Sequence, residues 1–334
     1  MRPRLAEIAS AANVSEATVS RVLNGRPGVA EATRDAVLTA VDVLGYERPS
    51  QLRSTTTGQV GLVIAELENP VFAAFAQHIE SELIQHGYTT VLCSQRADGL
   101  HEDEYVAMLL DRGVSGLVFV SGLHADSTAD PQRYLALRRR GLPIVLVNGY
   151  LPGVDAPFIS NDDVTSMDLA IAHLASQGHR RIGLAVGSQR FTPVLRKVDG
   201  FTSSMAQRLD ERAPLITYSM FSVEGGAVAA GVLLDAGATA IICGSDLMAL
   251  GVIRAARDRG LSVPQDLSVV GYDDSLLIGY TDPPLTTVRQ SVPTMSSAAV
   301  AALLSEISGV RAERAEYIFR PELVVRASTA AAPA

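Results

Sequence analysis

From residue 59 onward, short apolar runs alternate with amphipathic helical patterns, and this rhythm limits the possible folds more than any other feature. The apolar runs cover residues 60–65, 89–93, 116–120, 144–147, 182–186, 215–218, 240–243 and 267–271. Helical patterns include residues 72–85, 165–177, 224–236 and 248–259. Continuous apolar strands that alternate with helices predict an α/β fold whose parallel sheets are covered on both faces. The number of strands is too large for one compact sheet.

The first 47 residues follow a different pattern, which predicts three short helices. Leu5, Ile8, Ala9 and Ala12 form one apolar stripe, and Ser15 is the predicted N-cap of a second helix with Val19, Val22 and Leu23 on its inner side. The opposite arc of that helix holds Glu16, Ala17, Ser20, Arg21 and Asn24. A third helix is predicted from 31 to 44, before Gly45. This layout is typical of a helix-turn-helix, although a three-helix cap without a DNA role has the same periodicity.

The charge of the chain is unevenly distributed. The net charge is -8, but residues 1–58 carry seven Arg and six acidic residues. Because an acidic body repels DNA, any contact with phosphates must be concentrated in this first segment and doubled by dimerisation. We therefore expect a homodimer.

Several short motifs in the first segment carry a family resemblance. Residues 5–9 (LAEIA), 14–25 (VSEATVSRVLNG), 33–34 (TR) and 44–46 (LGY) resemble the headpiece of the LacI/GalR family of bacterial repressors. The resemblance implies that Thr18 and Ser20 help to anchor phosphates, and that Ser15 and Asn24 also contact DNA. It also implies that Glu16, Ala17 and Arg21 face base edges, where Arg21 can pair with guanine. Ala30 stands where the family usually has a capping Ser.

Residues 48–58 are polar and lack a core face, so they are predicted to form a hinge or linker after a headpiece of residues 1–47. In the family this segment forms a hinge helix whose leucine enters the minor groove of DNA. Leu52 is the only candidate for that role. The linker is about three residues shorter than the resemblance predicts, so we expect weaker insertion.

The resemblance continues through the remaining chain, for example in residues 68–70 (ENP), 178–183 (GHRRIG), 244–251 (GSDLMALG) and 269–274 (VVGYDD). It implies a two-lobed, periplasmic-binding-protein-like core over residues 59–334. The predicted N-lobe comprises residues 59–161 and 293–319, and the predicted C-lobe comprises residues 162–290 and 320–330, with a last strand near 323–326. Ligands of open α/β sheets bind at the carboxyl ends of the strands, so the cleft between the lobes is the predicted pocket.

The same resemblance implies which side chains line this pocket. The expected ligand-binding residues are Asn69, Phe72, Asn148, Asp163, Arg196, Lys197, Phe221, Ser245, Asp273 and Gln290. Carboxylates and amides can bridge the hydroxyls of a sugar while an aromatic ring covers its apolar side. Lys197 departs from the family, which commonly has Arg at this position, so we expect a ligand other than a simple hexose.

Other polar residues have simpler structural interpretations. We expect Asp246 to cap the helix that follows it, Asp162 and Asp274 to be solvated loop acids, and His179 to form hydrogen bonds in a turn before a strand. Cys93 and Cys243 lie in apolar runs and are predicted to be buried and reduced. The six His show no spacing suited to metal ligands, and no phosphate-binding glycine motif occurs. We therefore expect no metal and no cofactor.

Three classes of function remain open to this architecture. A solute-binding protein would need an export segment, and an enzyme would need a nucleophile or an acid-base pair, neither of which the motifs indicate. A DNA-binding transcriptional regulator, which we expect to be a repressor, accounts for both halves of the chain. We expect it to be cytoplasmic, since no apolar run of about 18 residues occurs, and to bind a double-stranded DNA operator and a small sugar-like effector.

Overall fold

The computed structural model describes residues 5–23, 26, 28–44, 46, 57–95 and 100–333. The chain divides into two compact units, with the boundary between residues 55 and 56. Neither the hinge residue Leu52 nor Asn24 is among the described residues, so the predictions for both lie outside them.

The N-terminal unit contains the three predicted helices. They are α1 (Leu5–Ala11), α2 (Glu16–Leu23) and α3 (Glu31–Val43). Ile8, Val19 and Val37, one from each helix, are fully buried against one another. The Ser15 hydroxyl accepts a hydrogen bond from the backbone N–H of Thr18 at 3.2 Å, which confirms the predicted N-cap of α2.

The second unit is built from twelve strands and eight helices within the described residues. The strands are β1 (Gly58–Ile64), β2 (Tyr88–Ser94), β3 (Gly116–Val120), β4 (Ile144–Val147), β5 (Phe158–Asn161), β6 (Ile182–Val186), β7 (Leu215–Tyr218), β8 (Ala240–Cys243), β9 (Ser268–Asp273), β10 (Thr286–Arg289), β11 (Glu316–Phe319) and β12 (Glu322–Val324). The helices are α4 (Pro70–Gln85), α5 (Glu102–Asp111), α6 (Gln132–Arg139), α7 (Asp163–Ser176), α8 (Thr192–Leu209), α9 (Val223–Asp235), α10 (Asp246–Asp258) and α11 (Val292–Ile307).

These strands form two six-stranded sheets, one in each lobe. The order is β11-β5-β4-β3-β1-β2 in the first sheet and β12-β10-β9-β8-β6-β7 in the second. Every described pairing within the sheets is parallel except that of β10 with β12. The predicted two-lobed α/β core of parallel sheets is confirmed.

The central strands are buried along their whole length because helices cover both faces of each sheet. All residues of β3, β4, β6 and β8 are buried. This explains why their sequences are continuous apolar runs rather than alternating ones. Cys93 and Cys243 are buried free thiols, as predicted.

Asp246 and Asp274 have structural roles that differ from the predicted ones. Ser245, and not Asp246, caps α10, with its hydroxyl accepting the N–H of Met248 at 3.3 Å. Asp246 is instead buried and accepts hydrogen bonds from Ser275 and Thr287. Asp274 is not a solvated acid, because its carboxylate pairs with Arg289 and Arg326.

Asp162 is also structural, since it is the N-cap of α7 and accepts the N–H of Thr165 at 2.9 Å. The expectation of a solvated loop acid is therefore wrong for this residue too. His179 is confirmed in its predicted role. Its ring is hydrogen-bonded to the hydroxyls of Thr239 and Ser268, both at 2.9 Å.

Candidate ligand cavity and nucleic-acid interface

A cavity of about 440 Å³ lies where the carboxyl ends of strands from both sheets meet. Residues that follow β1, β3, β4, β7 and β8, together with the last residues of β5 and β9, line it. Helices begin just after several of these strands, so polar side chains and helix N-termini collect at the same edge. The volume falls within the range of about 300 to 1,000 Å³ that is usual for small-molecule sites.

Three non-glycine residues at this edge adopt left-handed backbone conformations. The φ angles are 51° for Ser121, 61° for Asn148 and 114° for Asp273. All three line the cavity. Such conformations are costly for residues with a side chain and are found mainly at functional sites, so the cavity edge is a good candidate for a binding site.

Asp273 lines the cavity and connects the two lobes through its hydrogen bonds. Its carboxyl group accepts a hydrogen bond from Gln290 Nε2 at 2.6 Å and a longer one from Asn69 Nδ2 at 3.4 Å. Burial and the nearby Asp246 carboxylate raise the pKa of Asp273 well above its usual value. Asn69 also caps α4, since its side-chain oxygen accepts the N–H of Val71 at 3.2 Å. The predicted residues Asn69, Asp273 and Gln290 are thus adjacent.

A second polar cluster forms the floor of the cavity. Lys197 Nζ donates to Asp163 Oδ1 at 2.6 Å and lies 3.9 Å from the centre of the Tyr272 ring. The Tyr272 hydroxyl donates to the same Asp163 oxygen at 2.5 Å and accepts from Asn161 Nδ2 at 2.7 Å. Burial, followed by the Asp163 carboxylate, raises the pKa of the Tyr272 phenol, which therefore stays protonated.

Aromatic rings cover another wall. Phe72, Phe191 and Phe221 line the cavity. The Phe221 ring lies so close to Gly187 that a side chain there would overlap it, with an added Cβ only 2.0 Å from the ring. Polar groups on one side and aromatic faces on the other suit a ligand that has both hydroxyls and apolar C–H surface.

Nine of the ten predicted ligand-binding residues line this cavity, and Arg196 does not. Its guanidinium forms a bidentate ion pair with Glu316 on β11, at 2.6 and 2.9 Å. The expectation that Arg196 lines the pocket is therefore corrected. Arg196 and Lys197 are neighbours on one helix, where consecutive side chains point about 100° apart, so only one of them faces the cavity.

Several lining residues were not predicted, and the polar and large apolar ones are Glu66, Glu68, Ser121, Asn161, Phe191, Met220, Ser222 and Tyr272. Glu66 and Glu68 follow the first predicted strand, so their position at a strand end was a usable signal. Asn161 ends a strand that the sequence pattern did not predict.

The exposed side of α2 is the candidate nucleic-acid interface. Ser15, Glu16, Ala17 and Arg21 are exposed, and Thr18 and Ser20 are half-buried. The hydroxyls of Ser15 and Thr18 are hydrogen-bonded to each other at 2.9 Å. The side of α2 that carries Val19 and Val22 is buried, so the predicted DNA-contacting residues share its outer side.

Two other kinds of site were sought in the described part of the chain. No group of three or more His, Cys, Asp or Glu residues among them is placed to hold a metal ion. No helix among the described residues is long and apolar enough to cross a membrane.

Comparison with protein families gives two matches. Residues 4–49 match the model of bacterial regulatory proteins of the lacI family, and residues 171–329 match the model of periplasmic binding protein-like domains. The chain is 57% identical to the HTH-type transcriptional regulator MalR of Streptomyces coelicolor, over 100% of this chain and 98% of the relative.

Two solved structures resemble the whole chain. The transcriptional regulator CelR in complex with cellobiose is 30% identical, with a TM-score of 0.73, over 98% of this chain and 100% of that one. The lac repressor dimer bound to operator and the anti-inducer ONPF is 26% identical, with a TM-score of 0.71, over 99% of this chain and 100% of that one.

Proposed function

This chain belongs to the lacI family of bacterial transcriptional regulators, and on that premise we propose that it represses transcription in response to a small sugar-like effector. One observation carries the proposal: a single chain combines a helix-turn-helix, whose polar side is exposed, with a cavity between two sheets that is lined by both polar and aromatic side chains. The helix-turn-helix binds the operator. The cavity binds the effector.

The DNA contacts are assigned to the exposed side of α2. This helix enters the major groove, where the Arg21 guanidinium donates to guanine and the Glu16 carboxylate accepts from cytosine. Thr18 and Ser20 lie on the flank of the helix and are assigned to phosphates. Asn24 and Leu52 keep their predicted DNA contacts as part of this proposal.

The regulator binds a pseudo-palindromic operator as a homodimer. A single headpiece with almost balanced charge binds DNA weakly, and two copies double the number of contacts. A surface suited to the second copy lies after β9, where the apolar side chains of Leu276, Leu277 and Tyr280 are 84%, 69% and 87% exposed. Apolar side chains clustered in this way are typical of a protein-protein interface.

The effector is assigned to the cavity, where Asn69, Asn148, Asp163, Lys197 and Asp273 offer hydrogen-bonding groups to hydroxyls. Phe221 covers the apolar side of a sugar ring. Ser245, Gln290 and Phe72 complete the predicted set. The complex of the related CelR with cellobiose supports a sugar as the ligand class.

The DNA assignment is tested with Arg21→Ala. We expect the variant to bind the operator about 1 to 3 kcal/mol more weakly and to lose specificity at one base pair in each half-site. Fluorescence anisotropy with DNA from the region flanking the chain's own gene measures both effects. Arg140→Ala, which removes an exposed arginine of the second unit, is the matched control. Equal operator affinity of Arg21→Ala and the control would refute the assignment.

A further inference from the structure

The charges that line the cavity are strongly asymmetric. Four carboxylic acids and one lysine line it: Glu66, Glu68, Asp163, Asp273 and Lys197. Lys197 is therefore the only basic residue among the described lining residues. Asp163 balances the charge of Lys197, and burial raises the pKa of Asp273 well above its usual value, so the excess negative charge at the cavity wall comes from Glu66 and Glu68.

The single lysine is already neutralised by the protein. Its ammonium is buried, donates to Asp163 at 2.6 Å and lies over the Tyr272 ring. A ligand anion would have to compete with a carboxylate at contact distance. Since burial of a charge is costly unless it is paired, the Lys197–Asp163 pair is kept together.

Three arginines adjoin lining residues in the sequence, and all three are held by acids. Arg190 lies 3.4 Å from Asp126, and Arg196 forms the bidentate pair with Glu316. Arg289, which precedes Gln290, pairs with Asp274 and Glu322. None of the three lines the cavity. The guanidinium groups of Arg196 and Arg289, which would suit a phosphate or carboxylate, are thus committed to acids outside the cavity lining, and that of Arg190 lies over the Phe191 ring beside Asp126.

Three helix N-termini at the cavity have side-chain caps, whereas α8, which begins after the lining residue Phe191, has none. Free N–H groups at the start of a helix are a common anion-binding site. Here three lining residues act as N-caps: Asn69 accepts from Val71, Ser222 accepts from Gly225 at 3.0 Å, and Ser245 accepts from Met248. At each of these three helices, a side-chain oxygen already accepts one of the N–H groups that would bind an anion.

The remaining acids make an anion unfavourable. Glu66 and Glu68 follow β1 at the cavity wall, and no ion pair with a base is found for either within the described residues. Burial and the charge of Glu68 raise the pKa of Glu66, which indicates that negative charge is already disfavoured at this position.

We infer that the cavity takes an uncharged, polyhydroxylated ligand and excludes ligands that carry a phosphate or carboxylate group. This inference rests on the proposed sugar-sensing function and narrows it. The oxygen-rich wall accepts hydrogen bonds from ligand hydroxyls, whereas no uncommitted cation is available to an anion among the described lining residues. The selectivity is electrostatic, so added salt reduces it.

Isothermal titration of the full-length protein with matched sugars tests the inference. The probes are ribose, glucose, maltose and cellobiose, together with ribose 5-phosphate, glucose 6-phosphate, maltose 1-phosphate and cellobiose 6′-phosphate. We expect one of the neutral sugars to bind and its phosphate ester to bind at least about 100-fold more weakly. An ester that binds as tightly as its neutral sugar would overturn the inference but leave sugar sensing intact. If no probe of either kind binds, the sugar-sensing function itself is wrong.

A charge variant tests the cause of the selectivity. In Glu66→Gln/Glu68→Gln the preference for the neutral sugar over its ester should fall by roughly 10-fold, because two negative charges leave the cavity wall. Glu80→Gln, which changes an exposed residue of α4, is the matched control and should keep the full preference. An unchanged preference in the double variant would overturn the electrostatic explanation.

Discussion

Asp273 has a backbone conformation and a set of hydrogen bonds that together suit a ligand contact. Its φ angle is 114° at the end of β9, and its carboxyl group accepts hydrogen bonds from the side-chain amides of Gln290 and Asn69. Each of these features has a cost: a left-handed conformation strains the backbone, and burial of a carboxylate requires donors. A purely structural residue would not need both.

Asp273→Asn should weaken binding of the sugar identified by titration by one to two orders of magnitude. The amide keeps the shape of the side chain but has one oxygen acceptor fewer, and a buried ligand hydroxyl left without its acceptor costs about 1 to 3 kcal/mol. Operator affinity without sugar should stay the same. Asp258→Asn, at an exposed position of α10, is the control for titration calorimetry and anisotropy. If Asp273→Asn lowered operator affinity and thermal stability while sugar binding persisted, Asp273 would be a structural residue.

His124 belongs to a buried polar network behind the cavity wall. Tyr134 donates to Glu102 at 2.5 Å and accepts the backbone N–H of His124 at 2.8 Å. The His124 ring lies 2.9 Å from the carbonyl of Val147, so Nε2 carries the proton. Burial lowers the pKa of His124 to about 4. The network fixes the loop that contains the lining residues Ser121 and Ala125.

This lowered pKa predicts a pH effect on stability. Between pH 6.5 and about 4 the unfolded chain binds a proton at His124 that the folded chain does not, so stability falls as the pH falls through this window. At pH 4.5 the loss attributable to His124 should be about 2 to 3 kcal/mol relative to pH 7. Urea unfolding of wild type and His124→Gln at both pH values measures it. Equal losses of unfolding free energy in the two proteins would contradict the prediction. Asp246, whose pKa is raised to about 6, changes the stability in the opposite direction. Both proteins contain Asp246, so its contribution cancels in the comparison.

The sequence could place side chains near the cavity, but it could not determine their partners. Lys197 was predicted from the family resemblance and Asp273 from its place after a predicted strand, and both line the cavity. Arg196 was wrongly predicted to line the cavity, because its ion-pair partner Glu316 is 120 residues away in the sequence. Asp274 was misjudged for the same reason, since its partner Arg326 is distant along the chain. Long-range ion pairs leave no local pattern in the sequence.

Among the elements, α3 lacks a side-chain cap. Its N-cap residue is Ala30, which has an extended backbone conformation and no side-chain oxygen. Ala30→Ser should stabilise α3 by about 1 kcal/mol, because the hydroxyl can accept a backbone N–H of the first turn. Hydrogen exchange of residues 31–43 in the full-length protein should slow accordingly. Ala36→Ser, at an exposed position within α3, is the control and should not slow exchange. Equal protection in both variants would show that the cap does not form.

Element prediction succeeded where the pattern was long or fully apolar. The eight apolar runs all form strands, and the helices begin within a few residues of the predicted positions. The strands β5, β10 and β11 were not predicted because each has only four residues and includes polar ones, such as Ser160 and Asn161 in β5. Their identity as strands depends on neighbouring strands, which periodicity does not reveal.

At the level of the whole second unit, contacts cross from one lobe to the other beside the cavity. Arg196 on α8 pairs with Glu316 on β11, and the backbone N–H of Ser127 donates to the carbonyl of Arg190 at 2.7 Å. These contacts hold the lobes together around the cavity. Ligand affinity therefore depends on the fraction of molecules in which these contacts between the lobes are formed.

Glu316→Gln should weaken sugar binding by about 2- to 10-fold. The bidentate ion pair with Arg196 is only 26% and 13% exposed, so its loss lowers the population of the closed form and hence the apparent affinity. Titration calorimetry measures the change. Glu322→Gln is the control, because that glutamate is 68% exposed in its pair with Arg289. If both variants bound sugar like wild type, the Arg196–Glu316 pair would have no role in closure.

The most direct test of the central claim is the operator affinity of the full-length protein with and without sugar. Anisotropy titrations should use a pseudo-palindromic DNA from the region flanking the gene, with saturating amounts of the neutral sugar that binds in calorimetry. We expect dimeric binding and a change in operator affinity of about 5- to 150-fold, which corresponds to a coupling of roughly 1 to 3 kcal/mol between the two sites. Operator affinity that is identical with and without bound sugar would contradict the claim that this chain is an effector-responsive regulator.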